Sequence, residues 1–255
     1  MIDSHSHIYM PEFDDDRAEV VARCREAGVT EVVAPNVDLE SLPQLAAAVE
    51  AFPGFFHPAM GLHPTSVTAS WRADLDAIIA ELDRGGYVAV GEIGMDLYWD
   101  TTMEAEQRVV LAEQLRYAYA AGLPAIIHCR EALNATLEVI ASLGSQRPQL
   151  VMHSFTGSPE DVEAVRRVVP DAFFGVNGIV TFKNAHLEPM VEAIGIDRLL
   201  LETDSPYLAP VPYRGRRNES SYVALVAAKI AEIFALPLSE IDALTTATTR
   251  TLFRL

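Results

Sequence analysis

Six side chains suited to binding a divalent cation recur at one kind of place in this sequence: His5, His7, Glu92, His128, His153 and Asp204. Each lies in or just after a short apolar run of strand character: IDSHSH, YVAVGEIG, PAIIHCR, QLVMHSF and LLLETDSP. His5 and His7 stand two apart, so on an extended chain they point to the same face. A His-X-His pair alone is weak evidence, because structural histidines are common. The company it keeps is stronger: His5, His7, His63, His128 and His153 all fall at or near strand ends. His186, expected on a helix, and His57, at a strand start, fit structural roles. Glu92 lies between Gly91 and Gly94. A carboxylate buried in an apolar strand is costly unless it is paired or metal-bound. Its central place in chain order makes it the candidate shared ligand, one oxygen to each of two cations; a salt-bridged structural glutamate is the alternative. Six donors exceed one tetrahedral ion and suit a two-cation centre. Glu202, two residues before Asp204, shares its face as a supporting group, a further ligand or a catalytic carboxylate.

Something must bring residues 5 and 204 together. The apolar runs alternate strictly with helical stretches. The helical DDDRAEVVARCREAG follows the first strand, EVVAPN is the second strand, and the alternation continues through LESLPQLAAAVEAF, FHPAMGLHP, WRADLDAIIAELDRG, YVAVGEIG and a long helix from about Thr102 to Ala121. It goes on with PAIIHC, REALNATLEVIASLG, QLVMHS, SPEDVEAVRRVV, AFFGVN, a helix near His186–Ile194, and RLLLET. NESSYVALVAAKIAEIFAL is an eighth helix, and LSEIDALTTATTRTLF an extra C-terminal one that caps the fold or packs outside it. Eight such units predict a (β/α)8 TIM barrel spanning residues 1–255 as one domain. In that fold the C-terminal strand ends converge on one mouth. A doubly wound open sheet is the structural competitor, but it would separate the first strand from the last.

The chain has 255 residues, 50% hydrophobic and 22% charged, which suits one sizeable domain. No apolar stretch approaches ~18 residues, so no transmembrane helix or membrane partner is expected. The N-terminus has no basic region and no long apolar core, unlike a secretory signal. Two cysteines, Cys24 and Cys129, are too few for a disulfide framework, and a cytoplasmic location is expected. The net charge is −17, from 36 acids against 19 bases. A global field of that sign repels nucleic acid and excludes tight coating of a duplex by charge alone. A polyanionic substrate would have to be captured locally.

Six segments together resemble the TatD family of metal-dependent hydrolases, within the amidohydrolase-like barrels: IDSHSH, GLHP at 61–64, GEIGMD at 91–96, IIHCR at 126–130, HSFTG at 153–157 and LLLETDSPYLAPVPYRGRRNES at 199–220. They are spread over the whole chain, and the last is the most diagnostic. The resemblance implies a distorted barrel, a divalent-metal centre and a deoxyribonuclease-type phosphodiesterase; a narrow barrel mouth would favour a single-stranded end over intact duplex, hence 3'-5' exonuclease-like action. It also implies that His5, His7, Glu92 and Asp204 hold one metal, and Glu92, His128 and His153 the other.

The chemistry expected of such a centre is hydrolysis by a metal-activated water, with Asp204 and Glu92 in catalytic roles. Carboxylates suit Mg²⁺ or Mn²⁺, and four histidines suit Zn²⁺, so the identity of the two ions stays open. His63 is placed to touch a phosphate oxygen or leaving group. Arg130 could bind a phosphate or pair with Glu131. Arg214, Arg216 and Arg217 are the one dense basic cluster, able to grip a phosphate backbone or to serve as a solvated, salt-bridged loop. Tyr98, Trp99, Phe155, Phe182 and Tyr207 follow strand ends, where exposed rings could stack unpaired bases. DNA, as single-stranded ends held weakly, is the expected partner. The competing readings are an esterase or amidase-type hydrolase, such as an aminoacyl-ester deacylase, and a non-catalytic nucleic-acid-binding barrel.

Overall fold

The computed structural model describes residues 1–255. Eight strands follow one another around a single parallel sheet: β1 (Ile2–Asp3), β2 (Glu31–Pro35), β3 (Phe56–Met60), β4 (Ala89–Asp96), β5 (Ala125–Arg130), β6 (Leu150–Met152), β7 (Phe173–Val176) and β8 (Leu199–Leu201). Parallel neighbours cannot be joined by tight turns and need crossovers. These are supplied by α1 (Arg17–Glu26), α2 (Leu42–Ala51), α3 (Trp71–Leu82), α4 (Glu104–Ala121), α5 (Leu133–Ser142), α6 (Pro159–Val168) and α7 (Glu188–Ile194), with α8 (Val223–Phe234) and α9 (Leu238–Phe253) after the last strand. The fold is a (β/α)8 barrel. No single helix is long and apolar enough to cross a membrane.

The barrel closes where β1 meets β8. Ser4 N donates to Leu201 O and Asp204 N donates to His5 O, each at 2.9 Å. Asp3 is fully buried at this seam and accepts from Thr203 N at 2.9 Å and Thr203 Oγ1 at 2.6 Å. An open sheet would leave these groups apart.

Side-chain parity explains how the barrel positions its mouth. Val33, Ala59, Ala89, Ile126, Val151, Phe173 and Leu200, from β2 to β8, form an apolar layer with Leu252 and Phe253 of α9. The extra helix therefore caps the end of the barrel opposite the mouth. Two residues above that layer, on the same face, stand His128, His153 and Glu202, because the side-chain period of an extended chain is two. Gly175 stands above Phe173, where a Cβ would come within 2.0 Å of a Glu202 carboxylate oxygen. Only glycine leaves room for that acid. β4 breaks the parity: Ala89 lies in the apolar layer, yet Glu92 reaches the mouth. The β4–β5 register shifts between Val90 and Ile93, and this irregularity supplies the odd step.

Several element ends differ from expectation. The β1 ladder stops at Asp3 and the chain bends at Ser4 and His5, but Ser4 N bonds to Leu201 O on one side and Ser6 N to Val33 O on the other, and His5 Nε2 and His7 Nε2 meet at 3.1 Å. β3 and β6 end at Met60 and Met152, which leaves His63 and His153 in the first loop residues. Arg130 ends β5 and α5 begins only at Leu133, not at Arg130. His186 precedes α7 and takes φ 50°, a conformation no helix continues.

Truncating the cap should be costly. Phe253→Ala is expected to lose ~3–5 kcal/mol of unfolding free energy and Leu252→Ala ~2–5 kcal/mol in urea melts. Leu238→Ala, exposed on the same helix, should stay within ~0.5 kcal/mol.

Candidate metal centre

Glu92 is the hub of the mouth. Its side chain is buried and its two oxygens face different neighbours. Oε2 lies 3.1 Å from His5 Nε2 and 3.6 Å from His7 Nε2. Oε1 lies 2.9 Å from His128 Nδ1, 3.4 Å from His63 Nε2 and 3.7 Å from His153 Nε2. Asp204 Oδ1 reaches across, 3.8 Å from His5 Nε2, 3.6 Å from His7 Nε2 and 3.7 Å from His153 Nε2. All six residues expected to ligate thus converge. They come from β4, β5 and the segments following β1, β6 and β8.

The donor spacing fits a cation. Tetrahedral ligands at ~2.1 Å from an ion lie about 3.4 Å from one another, and these donors stand 3.1–3.8 Å apart around Glu92 Oε2 and Asp204 Oδ1. Sets that could hold an ion include His5, His7 and Glu92, and also His63, Glu92 and His128.

The outer ring nitrogens distinguish the histidines. His7 Nδ1 lies 3.1 Å from Pro35 O, an acceptor only, so Nδ1 carries the proton and, once the ring is neutral, Nε2 holds the free lone pair. His128 Nε2 lies 2.9 Å from Asp96 Oδ2, which leaves Nδ1 toward Glu92. His153 Nδ1 lies 3.1 Å from Glu202 Oε1, outside hydrogen-bond geometry, and has no other partner. His63 differs in kind. Its Nδ1 accepts from Thr65 N at 3.2 Å and contacts Thr65 Oγ1 at 2.6 Å. A neutral His63 therefore carries its proton on Nε2 and faces Glu92 as a donor, not as a ligand, despite its proximity.

Burial and charge set the protonation of the metal-free site. Burial pushes His7 down, but Asp204 and Glu92 overrule it and raise the ring to about 9. Burial likewise opposes His153, which the Glu202, Glu92 and Asp204 charges raise to about 10. Burial pushes Glu92 up, yet the charges of His153, His5 and His63 hold it well below the usual carboxylate range. Burial lowers His5 and His63.

Glu202 lies beneath His153, buried and accepting from Ser154 N at 2.7 Å, which fits the supporting role among those open to it; with His5 and His153 it also forms a set that could hold an ion. One expectation needs correction. Arg217 is not free for phosphate: it donates to Glu12 O at 2.6 Å and pairs with Asp16 at 2.6–2.8 Å, tying the segment after β8 to the start of α1. Arg23 on α1 grips Glu219 in the same way. Arg214 and Arg216 are exposed, Arg214 lying 4.5 Å over the Phe182 ring. Arg130 is exposed and does not pair with Glu131. It lies 3.8 Å over the Tyr98 ring and 5.2 Å over Trp99. Trp99 is 70% exposed and Tyr207 52%, whereas Phe155 is buried against Phe174.

Sequence reasoning missed Asp96 and Asp3. Asp96 is visible in retrospect: it stands four residues after Glu92 on one strand, with the parity of the mouth, inside the GEIGMD motif. Asp3 carried no signal beyond being an acid in an apolar strand.

A (β/α)8 barrel with buried imidazoles and carboxylates gathered at its C-terminal mouth is the architecture of a metal-dependent hydrolase. A family model described as "TatD related DNase" matches residues 2–254. The chain is 35% identical to the metal-dependent hydrolase YabD of Bacillus subtilis over 100% of this chain and 99% of that protein. It is 32% identical to a 3'-5' ssDNA/RNA exonuclease TatD of Cronobacter turicensis, covering 99% and 97%. The crystal structure of YJJV, a TatD homologue from Escherichia coli, superposes with a TM-score of 0.89 at 29% identity, covering 100% and 98%. The chain belongs to the TatD family and is a metal-dependent hydrolase acting on ester bonds.

Metal uptake should release protons. His7 and His153 are raised above an ordinary value of 6.5, so in metal-free protein their stabilising effect is complete below ~6.5 and is lost as pH rises through about 9 and about 10. A divalent ion must displace those protons. At pH 8 the calorimetric binding enthalpy is expected to vary with the buffer's ionisation enthalpy, and affinity to weaken as pH falls. A buffer-independent enthalpy would contradict this protonation scheme.

Proposed function

We propose that this protein is a phosphodiesterase with two divalent cations sharing Glu92, acting as an exonuclease on single-stranded DNA or RNA ends. The observation that carries the reading is the division of Glu92's oxygens: Oε2 toward His5 and His7, Oε1 toward His128 and His153. A structural salt bridge has no need of two separate imidazole sets around one carboxylate. In this reading His5, His7, Glu92 and Asp204 hold one ion, and Glu92, His128 and His153 the other. Mixed carboxylate and imidazole donors accommodate Mg²⁺, Mn²⁺ or Zn²⁺. When bound, such cations polarise a phosphate oxygen and make an attacking water acidic enough to react near neutral pH.

The chain's own residues do the rest. Asp204 is the most exposed of the mouth's carboxylates, at 14%, and so is the group that orients the attacking water and accepts its proton. His63, whose Nε2 proton faces Glu92 in the free site, would turn that proton to a non-bridging or departing oxygen of bound substrate. Arg130 offers positive charge beside the mouth of an acidic protein. Trp99, Tyr98 and Tyr207 offer exposed rings, on which bases of any identity can stack. Unpaired bases are accessible to such rings and those of a duplex are not, which favours single-stranded ends. The exonuclease name of the Cronobacter relative supports this reading, and the two free cysteines suit a cytoplasmic setting.

Glu92→Ala should lower kcat on end-labelled single-stranded DNA by roughly 10³-fold or more, since several kcal/mol of transition-state charge stabilisation are lost. Chelator should abolish wild-type cleavage, and circular dichroism of the variant should be unchanged. Turnover that survives in Glu92→Ala would end the shared-carboxylate assignment. Trp99→Ala should raise KM by roughly 5- to 100-fold, the worth of one stacked base, with kcat nearly unchanged. An equal KM for both proteins would remove Trp99 from the substrate path.

A further inference from the structure

Asp96 closes β4 as a buried acid that no step of hydrolysis requires. Both of its oxygens are nevertheless committed. Oδ2 lies 2.9 Å from His128 Nε2. Oδ1 accepts from Tyr98 N at 3.0 Å and Trp99 N at 3.3 Å. Its own backbone is pinned by Gln107 of α4, whose Oε1 accepts from Asp96 N at 2.9 Å and whose Nε2 donates to Asp96 O at 3.1 Å. Gln107 is itself buried. One carboxylate thus joins a ring of the metal centre to the loop carrying the exposed Tyr98 and Trp99 rings and the Arg130 guanidinium stacked on them.

We propose that Asp96 is a positioning residue with two tasks: it fixes the His128 proton on Nε2, so that Nδ1 offers its lone pair toward Glu92, and it holds the Tyr98–Trp99 loop as the platform for a single-stranded end. The inference rests on the metal-centre reading above. The physical reason is general. An imidazole has two inequivalent nitrogens, and the partner of one decides which is free to bind a cation. Gly94 shows how closely β4 passes the β5 backbone that carries this ring: a Cβ there would come within 1.8 Å of the His128 carbonyl oxygen.

Asp96→Asn separates the two tasks. Its amide oxygen can still accept from the Tyr98 and Trp99 amides, but its NH₂ can only donate to His128 Nε2. The ring proton must then move to Nδ1, and the lone pair facing Glu92 is lost. Calorimetric titration with Mn²⁺ should show one class of site weakened ~10–100-fold in Asp96→Asn and the other unchanged. Imidazole ¹⁵N spectra of the Zn²⁺-loaded wild type should show the His128 proton on Nε2. Asp96→Ala frees the loop as well, so quenching of Trp99 by an oligothymidylate, read in a Trp71→Phe background, should fall in Asp96→Ala and persist in Asp96→Asn. Unchanged Mn²⁺ affinities, or a wild-type His128 protonated on Nδ1, would overturn the first task; equal quenching in the two variants would overturn the second. Failure of the wild type to take up any divalent ion would overturn the underlying metal-centre reading instead. Quenching of Trp99 in the two variants needs no metal and so separates that failure from failure of this proposal.

Discussion

A negative charge buried at the centre of a ring of imidazoles is the constraint on which this structure turns. Glu92 has been taken almost completely out of water in the middle of a strand whose eight residues are all buried. Desolvation alone would drive such a carboxyl toward its neutral form. The surrounding rings reverse that outcome and hold it ionised. The converse also holds, since the acids at the mouth keep His7 and His153 charged when no metal is bound. Each set of groups is tolerable in the core only because the other is present. Divalent cations at the same donors would replace the protons and satisfy the acids more fully.

The barrel divides its labour along its axis. One end is sealed by apolar side chains from seven strands and by Leu252 and Phe253 of α9. At the same end Glu31 pairs with His57 and with Arg250 of α9, so the ionisable groups there are matched, and packing of the layer is what stability requires. The other end gathers the polar residues, and its irregularities serve the site. The shifted register in β4 turns Glu92 inward. Gly175 leaves space for Glu202, and Gly94 lets the backbone pass close to His128. The buried Asp3–Thr203 contacts bring the first histidines to the last aspartate.

Charge shapes what such a mouth can accept. With a net charge of −17, the molecule does not attract a polyanion from a distance. Part of its scarce positive charge is spent internally: Arg23 and Arg217 clamp the segment after β8 onto α1. Arg130, by contrast, faces solvent on aromatic rings beside the mouth. For the proposed substrate, recognition would rest on cations, stacking and a few local charges, with little sequence-independent grip along a strand.

Much of this was legible in the sequence for a simple reason. A barrel strand buried on both faces must be apolar, so an ionisable residue at its end stands out, and His5, His7, Glu92, His128, His153 and Asp204 all did. Strict alternation with helices made the parallel barrel readable too. What the linear chain could not convey was which atom faces which. Glu202 and Asp204 share a parity and a motif, yet only the three-dimensional packing puts one beneath His153 and the other at the opening. His63 is set apart from the ligand set in the sequence, but only Thr65 on its Nδ1 fixes its Nε2 as a donor, and only Asp16 beside Arg217 distinguishes that arginine from its neighbours. Asp96 was hidden because its meaning lies in a contact with a residue 32 positions away. Residue type and period determine which groups enter the core; their pairing depends on strand register and ring orientation, which only the folded chain decides.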